Sequence, residues 1–251
     1  MCGIVGYVGK RDVTPVLIEG LQRLEYRGYD SAGVAVVHRG RLHVTKTPGR
    51  VADLRAKLRE TAKATIGIGH TRWATHGEPN EANAHPHTDT AGRIAVVHNG
   101  IFENAEALRD QLMAAGVRLA SDTDTEAAAH MIAAELGCDA ECTLEDAVCR
   151  ALAHIEGAYG LLVMDAKNPD QLVVARNGSP VVIGIGDSEM FVASDVAALV
   201  RYTRQVVYLE DGEVATLRPG DYSTRSLNDS GLPAKSATWA RRPTGSVPSV
   251  W

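Results

Sequence analysis

The sequence predicts an α+β fold in which two sheets pack against each other and helices cover the outside. Most segments with strand character fall into two groups, one before residue 100 and one between residues 158 and about 217. Three segments with helical periodicity separate these groups. This grouping favours an α+β architecture over a doubly wound parallel sheet, in which strands and helices alternate along the chain.

The first half of the chain predicts short strands with helices between them. An apolar run over residues 4–8 is typical of a buried strand, and apolar residues recur at helical spacing over 13–24. Two apolar segments, 34–37 and 42–44, flank Arg39-Gly40 and predict a hairpin. The other expected elements are a helix near 50–62, a strand over 66–69, a polar loop over about 74–92 and a strand over 94–97.

The second half predicts three helices followed by six strands. Thr123-x-x-Glu126 matches a capping box, in which two side chains satisfy free backbone N–H groups at a helix start. Beyond about residue 222 polar residues, Pro and Gly dominate, so we expect one domain over 2–222 and a linker or disordered tail over 223–251. The helices are expected near 104–115, 124–136 and 143–155, and the strands near 160–165, 171–175, 181–185, 189–193, 205–209 and 213–217.

The composition is that of an ordinary globular protein, with 45% apolar and 23% charged residues among 251. A net charge of -5 gives no reason to expect nucleic acid or an anionic membrane as a partner. No apolar run approaches the ~20 residues of a bilayer span, and Arg11-Asp12 interrupts the apolar start that a signal peptide would need. We therefore expect a cytoplasmic protein with neither of these partners.

Two features are weak candidates for metal sites. Cys138, Cys142 and Cys149 lie close together in sequence, but no His stands at ligand spacing, which favours ordinary thiols in and around a helix. His85-Pro86-His87 resembles a His-x-His ligand pair without an adjoining carboxylate or Cys, which favours a hydrogen-bonded loop. We therefore expect no metal and no cofactor.

Cys2 is the main candidate for a catalytic nucleophile. Initiator methionine is commonly removed when the next residue is small, and after such removal Cys2 would carry both a thiol and a free α-amine. A thiol with a pKa of ~8.5 is mostly protonated at neutral pH, whereas an α-amine with a pKa of ~7.7–8.0 is well matched to accept its proton. One residue would thus supply both the nucleophile and its base.

Asn99-Gly100, at the end of a predicted strand, admits two interpretations. In an acyl-transfer reaction, the Asn99 amide and the backbone N–H of Gly100 could form an oxyanion hole. An Asn-Gly pair is also the common sequence of a two-residue hairpin turn. The two residues taken alone favour the hairpin turn, and the sequence assigns no clear role to His98.

Six segments between residue 2 and about 217 together resemble one enzyme family. They are Cys2–Gly6, Leu24–Gly33, His70–Gly77, Asn83–His87, Val97–Ile101 and Ser121–Glu126. In combination they are similar to the glutaminase domain, a class II glutamine amidotransferase domain, of the glutamine–fructose-6-phosphate transaminases. The segments 24–33 and 70–77 point to this amino-sugar branch, whereas the opening Cys-Gly-Ile also suits other amidotransferases.

The resemblance implies an N-terminal-nucleophile hydrolase fold for 2–222, which is a four-layer αββα sandwich with two antiparallel sheets. It implies an enzyme that hydrolyses L-glutamine to glutamate and ammonia through a thioester on Cys2. Asn99 and Gly100 would then form the oxyanion hole. The ammonia would serve the synthesis of glucosamine 6-phosphate from fructose 6-phosphate.

Free glutamine carries a carboxylate and an ammonium group, so its site needs a cation and an anion. Arg72 can bind the carboxylate bidentately, and Asp124 can hold the ammonium, although helix-terminus electrostatics is an alternative role for Asp124. Trp73 lies on a loop that could cover the site, or it could anchor that loop by burying its ring. The resemblance implies the same roles for Arg72 and Asp124, an ammonia gate at Trp73, and supporting contacts from Thr75, His76 and Arg27.

The chain ends at Trp251, whereas members of the family continue into a sugar-phosphate isomerase half. We therefore expect the ammonia acceptor, a domain or subunit that binds a sugar phosphate, to be absent from this chain. The sequence is compatible with a homodimer.

The alternative function is a stand-alone or regulatory glutamine-binding module with little or no catalysis. A nucleotide-binding protein is disfavoured, because Gly184-x-Gly186 lacks a third glycine and a following helix.

Overall fold

The computed structural model describes residues 2–58, 63–73 and 77–227, and the strands among them form two antiparallel sheets. The strands are β1 Gly3–Val8, β2 Ser31–His38, β3 Arg41–Pro48, β4 Ile66–Arg72, β5 His87–Thr88, β6 Ile94–Phe102, β7 Gly157–Asp165, β8 Leu172–Asn177, β9 Val182–Gly186, β10 Glu189–Ala193, β11 Gln205–Tyr208, β12 Glu213–Arg218 and β13 Asp221–Ser226. The seven-stranded sheet has the order β11-β9-β10-β1-β4-β2-β3, and the six-stranded sheet has the order β13-β12-β8-β7-β6-β5.

Helices cover the outer face of each sheet. They are α1 Val13–Leu24, α2 Val51–Lys57, α3 Ala105–Ala114, α4 Asp124–Cys138 and α5 Leu144–Leu152. The apolar faces of α1 and α2 pack against the seven-stranded sheet, and those of α3, α4 and α5 pack against the six-stranded sheet. None of the helices described is long and apolar enough to cross a membrane.

The central core lies between the two sheets. Ile4 and Ile68 of the first sheet pack with Val97 and Leu162 of the second, and all four side chains are fully buried. Gly6 allows a close approach at this interface, because a Cβ there would lie 2.5 Å from a methyl carbon of Leu162. Two sheets packed face to face between helical layers confirm the predicted αββα sandwich.

Two local predictions at the second sheet are wrong. The strand predicted for 94–97 continues to Phe102 as β6, so Asn99 and Gly100 pair with Gly160 and Tyr159 and do not form a hairpin turn. The predicted capping box is absent. Thr123 precedes α4 without a side-chain cap, and the Glu126 carboxylate instead accepts the backbone N–H groups of residues 120 and 121.

The last strand crosses the domain boundary that we expected at residue 222. β13 covers Asp221–Ser226 and pairs with β12, from Asp221 opposite Arg218 to Ser226 opposite Glu213. Its backbone hydrogen bonds continue the sheet, although its side chains show little apolar periodicity. Most of the predicted tail, residues 228–251, lies outside the described residues.

The core between the sheets yields a stability prediction. Leu162→Ala should lower the free energy of unfolding by about 2–5 kcal/mol, because it removes apolar contacts and leaves a cavity. The matched control is Val200→Ala, at a side chain that is 61% exposed, where the change should stay within about 0.5 kcal/mol. Urea denaturation of both variants measures the difference. Equal losses would contradict the packing described here.

Candidate active site

The ends of two strands, together with a residue inside a third, place the candidate nucleophile at the junction of the two sheets. Cys2 precedes β1 and Trp73 follows β4, and the pairing of Gly3 with Thr71 places these two ends side by side. The backbone N–H of Trp73 donates to Cys2 Sγ at 3.2 Å, and Sγ lies 3.6 Å from the Trp73 carbonyl oxygen. From β6 of the opposite sheet, Asn99 Nδ2 donates to the Cys2 carbonyl oxygen at 3.2 Å.

A narrow cavity of about 30 Å³ adjoins Cys2. Its lining residues are Cys2, Arg72, Trp73, His85, His98, Gly100, Thr123 and Asp124. Burial raises the pKa of the Cys2 thiol, and the hydrogen bond from the Trp73 backbone opposes this only in part. The thiol is therefore protonated at neutral pH, and it needs a base before it can attack a carbonyl carbon.

Gly100 occupies a backbone conformation that only glycine adopts without strain at this position. Its φ is +136°, and a Cβ would collide with the carbonyl oxygen of Ala158 on the neighbouring strand. The absence of a side chain lets β6 stay paired with β7 while the Gly100 backbone lines the cavity beside Cys2.

Arg72 and Asp124 line the same cavity with opposite charges. Arg72 is buried, and its Nη2 donates to the Gly77 carbonyl oxygen at 3.3 Å. Asp124 is the first residue of α4, and its Oδ2 accepts the Phe102 backbone N–H at 3.0 Å. Burial disfavours the ionised form of Asp124, but contacts with His98 and the Phe102 N–H outweigh this effect and hold its pKa well below the ordinary range. The cavity thus presents a cation and a carboxylate.

Buried histidines lie in and behind this cavity: His85 and His98 line it, His70 and His87 do not, and sequence reasoning gave a catalytic or binding role to none of them. The Thr125 hydroxyl donates to Asp124 Oδ1, and it lies 2.8 Å from His85 Nε2 and 3.0 Å from His98 Nδ1. His87 Nε2 bonds the hydroxyl of Thr123 at 2.8 Å. The sequence feature that marked this cluster was the His85-Pro86-His87 motif. In the structure its two imidazole rings form hydrogen bonds with threonine hydroxyl groups. Among the described residues, no group of three His, Cys, Asp or Glu side chains could hold a metal ion.

The remaining predicted site residues are placed differently. Arg27 lines a separate cavity of about 420 Å³ with Tyr26, and its Nη1 donates to the Ser194 carbonyl oxygen at 3.2 Å. The Trp73 side chain is 54% exposed, and it packs so closely on Gly28 that a Cβ at Gly28 would collide with the indole ring. Thr75 and His76 lie outside the described residues.

A cavity of about 610 Å³, larger than the one beside Cys2, lies elsewhere in the described part of the chain. Lys46, Arg118 and Glu126 are among its lining residues, and none of the described residues lines both this cavity and the one beside Cys2. It is an open groove of mixed charge, and no cysteine is among the described residues that line it. We therefore take the narrow cavity beside Cys2, and not the larger groove, as the candidate active site.

Residues 70–201, more than half of the chain, match the family described as "Glutamine amidotransferase domain". This chain belongs to that family. The match includes the end of β4, all of β6 and the start of α4, which supply Arg72, Gly100 and Asp124 to the cavity, and Asn99 beside it. Cys2 lies before the matched residues.

Two relatives of this amidotransferase domain share the name glutamine–fructose-6-phosphate aminotransferase [isomerizing]. The protein of Chlorobaculum tepidum is 49% identical over 233 residues, which cover 91% of this chain and 38% of the relative. The protein of Symbiobacterium thermophilum is 53% identical over 220 residues, which cover 87% of this chain and 36% of the relative. The chain therefore spans little more than a third of the length of these relatives.

Solved structures confirm the predicted N-terminal-nucleophile hydrolase fold. The glutamine phosphoribosylpyrophosphate amidotransferase of B. subtilis, complexed with ADP and GMP, matches 90% of this amidotransferase domain with a TM-score of 0.76 and 27% identity. The domain covers 49% of that chain. A class-II glutamine aminotransferase domain protein of Silicibacter pomeroyi matches with a TM-score of 0.59 and 18% identity, which supports the fold alone.

Gly100→Ala should destabilise the domain more than a glycine substitution in open space. Both Gly100 and Gly40 have positive φ, so alanine at either position costs about 1 kcal/mol of backbone strain. Only at Gly100 does the added methyl group also meet a backbone carbonyl, whereas no atom lies within 4 Å at Gly40. Urea denaturation of the two variants measures the difference. A loss at Gly100→Ala no greater than at Gly40→Ala would be inconsistent with the close pairing of β6 and β7.

The buried histidines predict a loss of stability in mild acid. Burial lowers the pKa of His70 and of His87 to about 3, and it holds the pKa of His85 well below the ordinary value. Between pH 6.5 and 3 the unfolded chain, with ordinary histidine pKa values of ~6.5, binds more protons than the folded chain, so stability falls as the pH falls. Each histidine contributes up to about 1.4 kcal/mol per pH unit.

Urea unfolding between pH 6.5 and 5 isolates this effect, because carboxylates with ordinary pKa values of ~4 stay largely ionised in that range. The slope of the free energy of unfolding against pH gives the number of protons taken up. A flat profile would mean that these three imidazoles are not held neutral in the folded protein.

Proposed function

We propose that this domain hydrolyses L-glutamine to glutamate and ammonia, with Cys2 as the nucleophile. The observation that carries the proposal is the composition of one cavity, in which the Cys2 thiol stands beside Gly100, Arg72 and Asp124. Asn99 adjoins the cavity through its hydrogen bond to the Cys2 carbonyl oxygen. Membership of the glutamine amidotransferase family supports the choice of substrate.

The first half of the proposed reaction forms a thioester. Once Met1 is removed, the α-amine of Cys2 accepts the thiol proton, and Sγ attacks the side-chain amide carbon of glutamine. The tetrahedral intermediate then collapses as its C–N bond breaks, and the nitrogen takes the proton from the α-ammonium group and leaves as ammonia. The γ-glutamyl group remains bound to Sγ as a thioester.

The second half regenerates the thiol. The α-amine of Cys2 accepts a proton from water as the water oxygen attacks the thioester carbon. The C–S bond breaks, glutamate is released, and the proton returns to the sulfur. In both halves negative charge develops on the former amide oxygen, and the Asn99 amide together with the backbone N–H of Gly100 would stabilise it.

Recognition of the amino-acid end of glutamine is assigned to the two charged residues of the cavity. A guanidinium can bind a carboxylate through two parallel hydrogen bonds, which suits Arg72 to the α-carboxylate. The low pKa of Asp124 keeps its carboxylate ionised at neutral pH, so it can pair with the α-ammonium group. The supporting contacts expected from Thr75, His76 and Arg27 stay part of the proposal.

We propose further that the ammonia serves an acceptor outside this chain. The names of the relatives point to fructose 6-phosphate as that acceptor and to glucosamine 6-phosphate as the product, through a synthase domain or subunit. The exposed Trp73 side chain adjoins the Cys2 cavity, which suits it to a gate for ammonia.

Cys2→Ala should abolish glutamate release while leaving the fold intact, because it removes the sulfur that forms the thioester. The matched control is Cys138→Ala, at an exposed thiol, which should retain wild-type activity. Glutamate release from glutamine measures the activity, near-ultraviolet circular dichroism checks the fold, and intact mass shows whether Met1 has been removed. Full activity in Cys2→Ala would end the proposal. Glutamine binding without turnover by a wild-type chain that begins at Cys2 would favour a non-catalytic glutamine-binding module.

A further inference from the structure

His70 lies behind the candidate oxyanion hole, outside the cavity beside Cys2. It belongs to β4, pairs in register with Ile4 and Gly33, and is 0% exposed. It is not among the described residues that line the cavity, and its Nε2 hydrogen-bonds the His98 carbonyl oxygen and Asn99. Any effect of His70 on the reaction must therefore pass through another residue.

The two acceptors around His70 Nε2 determine where the imidazole proton lies. Nε2 is 3.0 Å from the His98 carbonyl oxygen and 2.9 Å from Asn99 Oδ1. A backbone carbonyl oxygen can only accept a hydrogen bond, so Nε2 must carry the proton. Nδ1 is buried and has no hydrogen-bond partner among the described residues. A proton on Nδ1 would thus leave a buried donor without a hydrogen bond. A lone pair on Nδ1 leaves only a buried acceptor without one, and this costs less free energy.

The same proton determines the orientation of the Asn99 amide. The oxygen and nitrogen of an asparagine amide have nearly the same shape, and their hydrogen-bond partners decide which way the group points. The Nε2–H of His70 requires the amide oxygen, and the Cys2 carbonyl oxygen requires the amide nitrogen at 3.2 Å. Both neighbours therefore turn the Asn99 NH2 group towards Cys2.

His70 stays in this state across the physiological pH range. Burial is the main cause that lowers the pKa of His70 to about 3, and it outweighs the hydrogen bond to Asn99, which acts in the opposite direction. The neutral ring keeps one donor nitrogen, on the side that faces His98 and Asn99. His70 therefore acts as a fixed hydrogen-bond donor and not as a base.

We propose that His70 is a positioning residue, which orients the Asn99 amide so that an N–H group faces the oxyanion formed at Cys2. The proposal rests on the proposed glutaminase function. An amide nitrogen carries two N–H groups, so Asn99 can bond the Cys2 carbonyl with one and the oxyanion with the other. Without the His70 donor, the amide can rotate by 180° and present its oxygen, which would repel the oxyanion.

The kinetic test is a double-mutant cycle between His70 and Asn99. His70→Phe keeps a flat ring without N–H groups, and it should lower kcat at least about tenfold with KM changed by less than about twofold. Asn99→Ala should lower kcat by about 10²-fold or more. In the Asn99→Ala background, His70→Phe should have less than about a twofold further effect, because the group that it orients is gone.

His70→Gln is the conservative variant that tests rescue. The Gln Nε2 can take the place of the imidazole Nε2 as a donor, so kcat should return to within about fivefold of wild type. A merely structural role for His70 would instead give losses that multiply with those of Asn99→Ala, and no rescue by Gln. Either result would overturn the proposal.

A measurement on the wild-type protein covers the case in which His70→Phe does not fold. In the nitrogen-15 NMR spectra of the labelled protein, His70 should show the Nε2–H tautomer from pH 8 to 5. A hydrogen on Nδ1, or titration of His70 within that range, would overturn the proposal even if every variant folds. If the wild type releases no glutamate, the proposed function fails in the activity assay, whereas these spectra still decide the orienting hydrogen bond.

Discussion

The site depends on one constraint, the face-to-face packing of two antiparallel sheets at the point where β1 and β4 lie side by side. Pairing of Gly3 with Thr71 holds Cys2 against the Trp73 backbone within one sheet. The core between the sheets brings β6 close enough for Asn99 to bond the Cys2 carbonyl. Because both contacts use backbone atoms, they rest on strand register and sheet spacing. A shift of register by one residue would turn every side chain of a strand to its other face.

The polar groups behind the site are buried in a neutral form, which limits the cost of removing them from water. His70 and His85 are packed with their ring centroids 4.3 Å apart, and burial lowers the pKa of both. Neutral rings can share hydrogen bonds with Thr125 and Asn99 without mutual repulsion. The charged groups Arg72 and Asp124 instead line the cavity, where a substrate with complementary charges can pair with them. Neutral groups behind two charged side chains are the arrangement that the proposed binding of zwitterionic glutamine needs.

Sequence patterns predicted the elements better than the roles of polar residues within them. The apolar spacing of α1 and α5 predicted both helices, because that spacing reflects burial against a sheet. Asn99-Gly100 has the sequence of a turn, yet it lies inside β6, since pairing with β7 outweighs the local preference. Glu126 has the spacing of a capping residue, but its carboxylate bonds the loop before the helix. Local propensity is a weak guide where tertiary hydrogen bonds compete with it.

The sequence by itself determined the order of strands and helices apart from β5 and β13, the αββα class and the family, together with Cys2, Arg72, Asn99 and Asp124 as candidates. Each of these follows from periodicity or from short contiguous motifs, which need no knowledge of distant contacts. Only the tertiary structure decided that Arg27 lies beside Ser194, and that His70 donates to Asn99 from a strand of the opposite sheet. A hydrogen bond between residues 29 positions apart depends on how two sheets pack, and no local pattern in the chain records that distance.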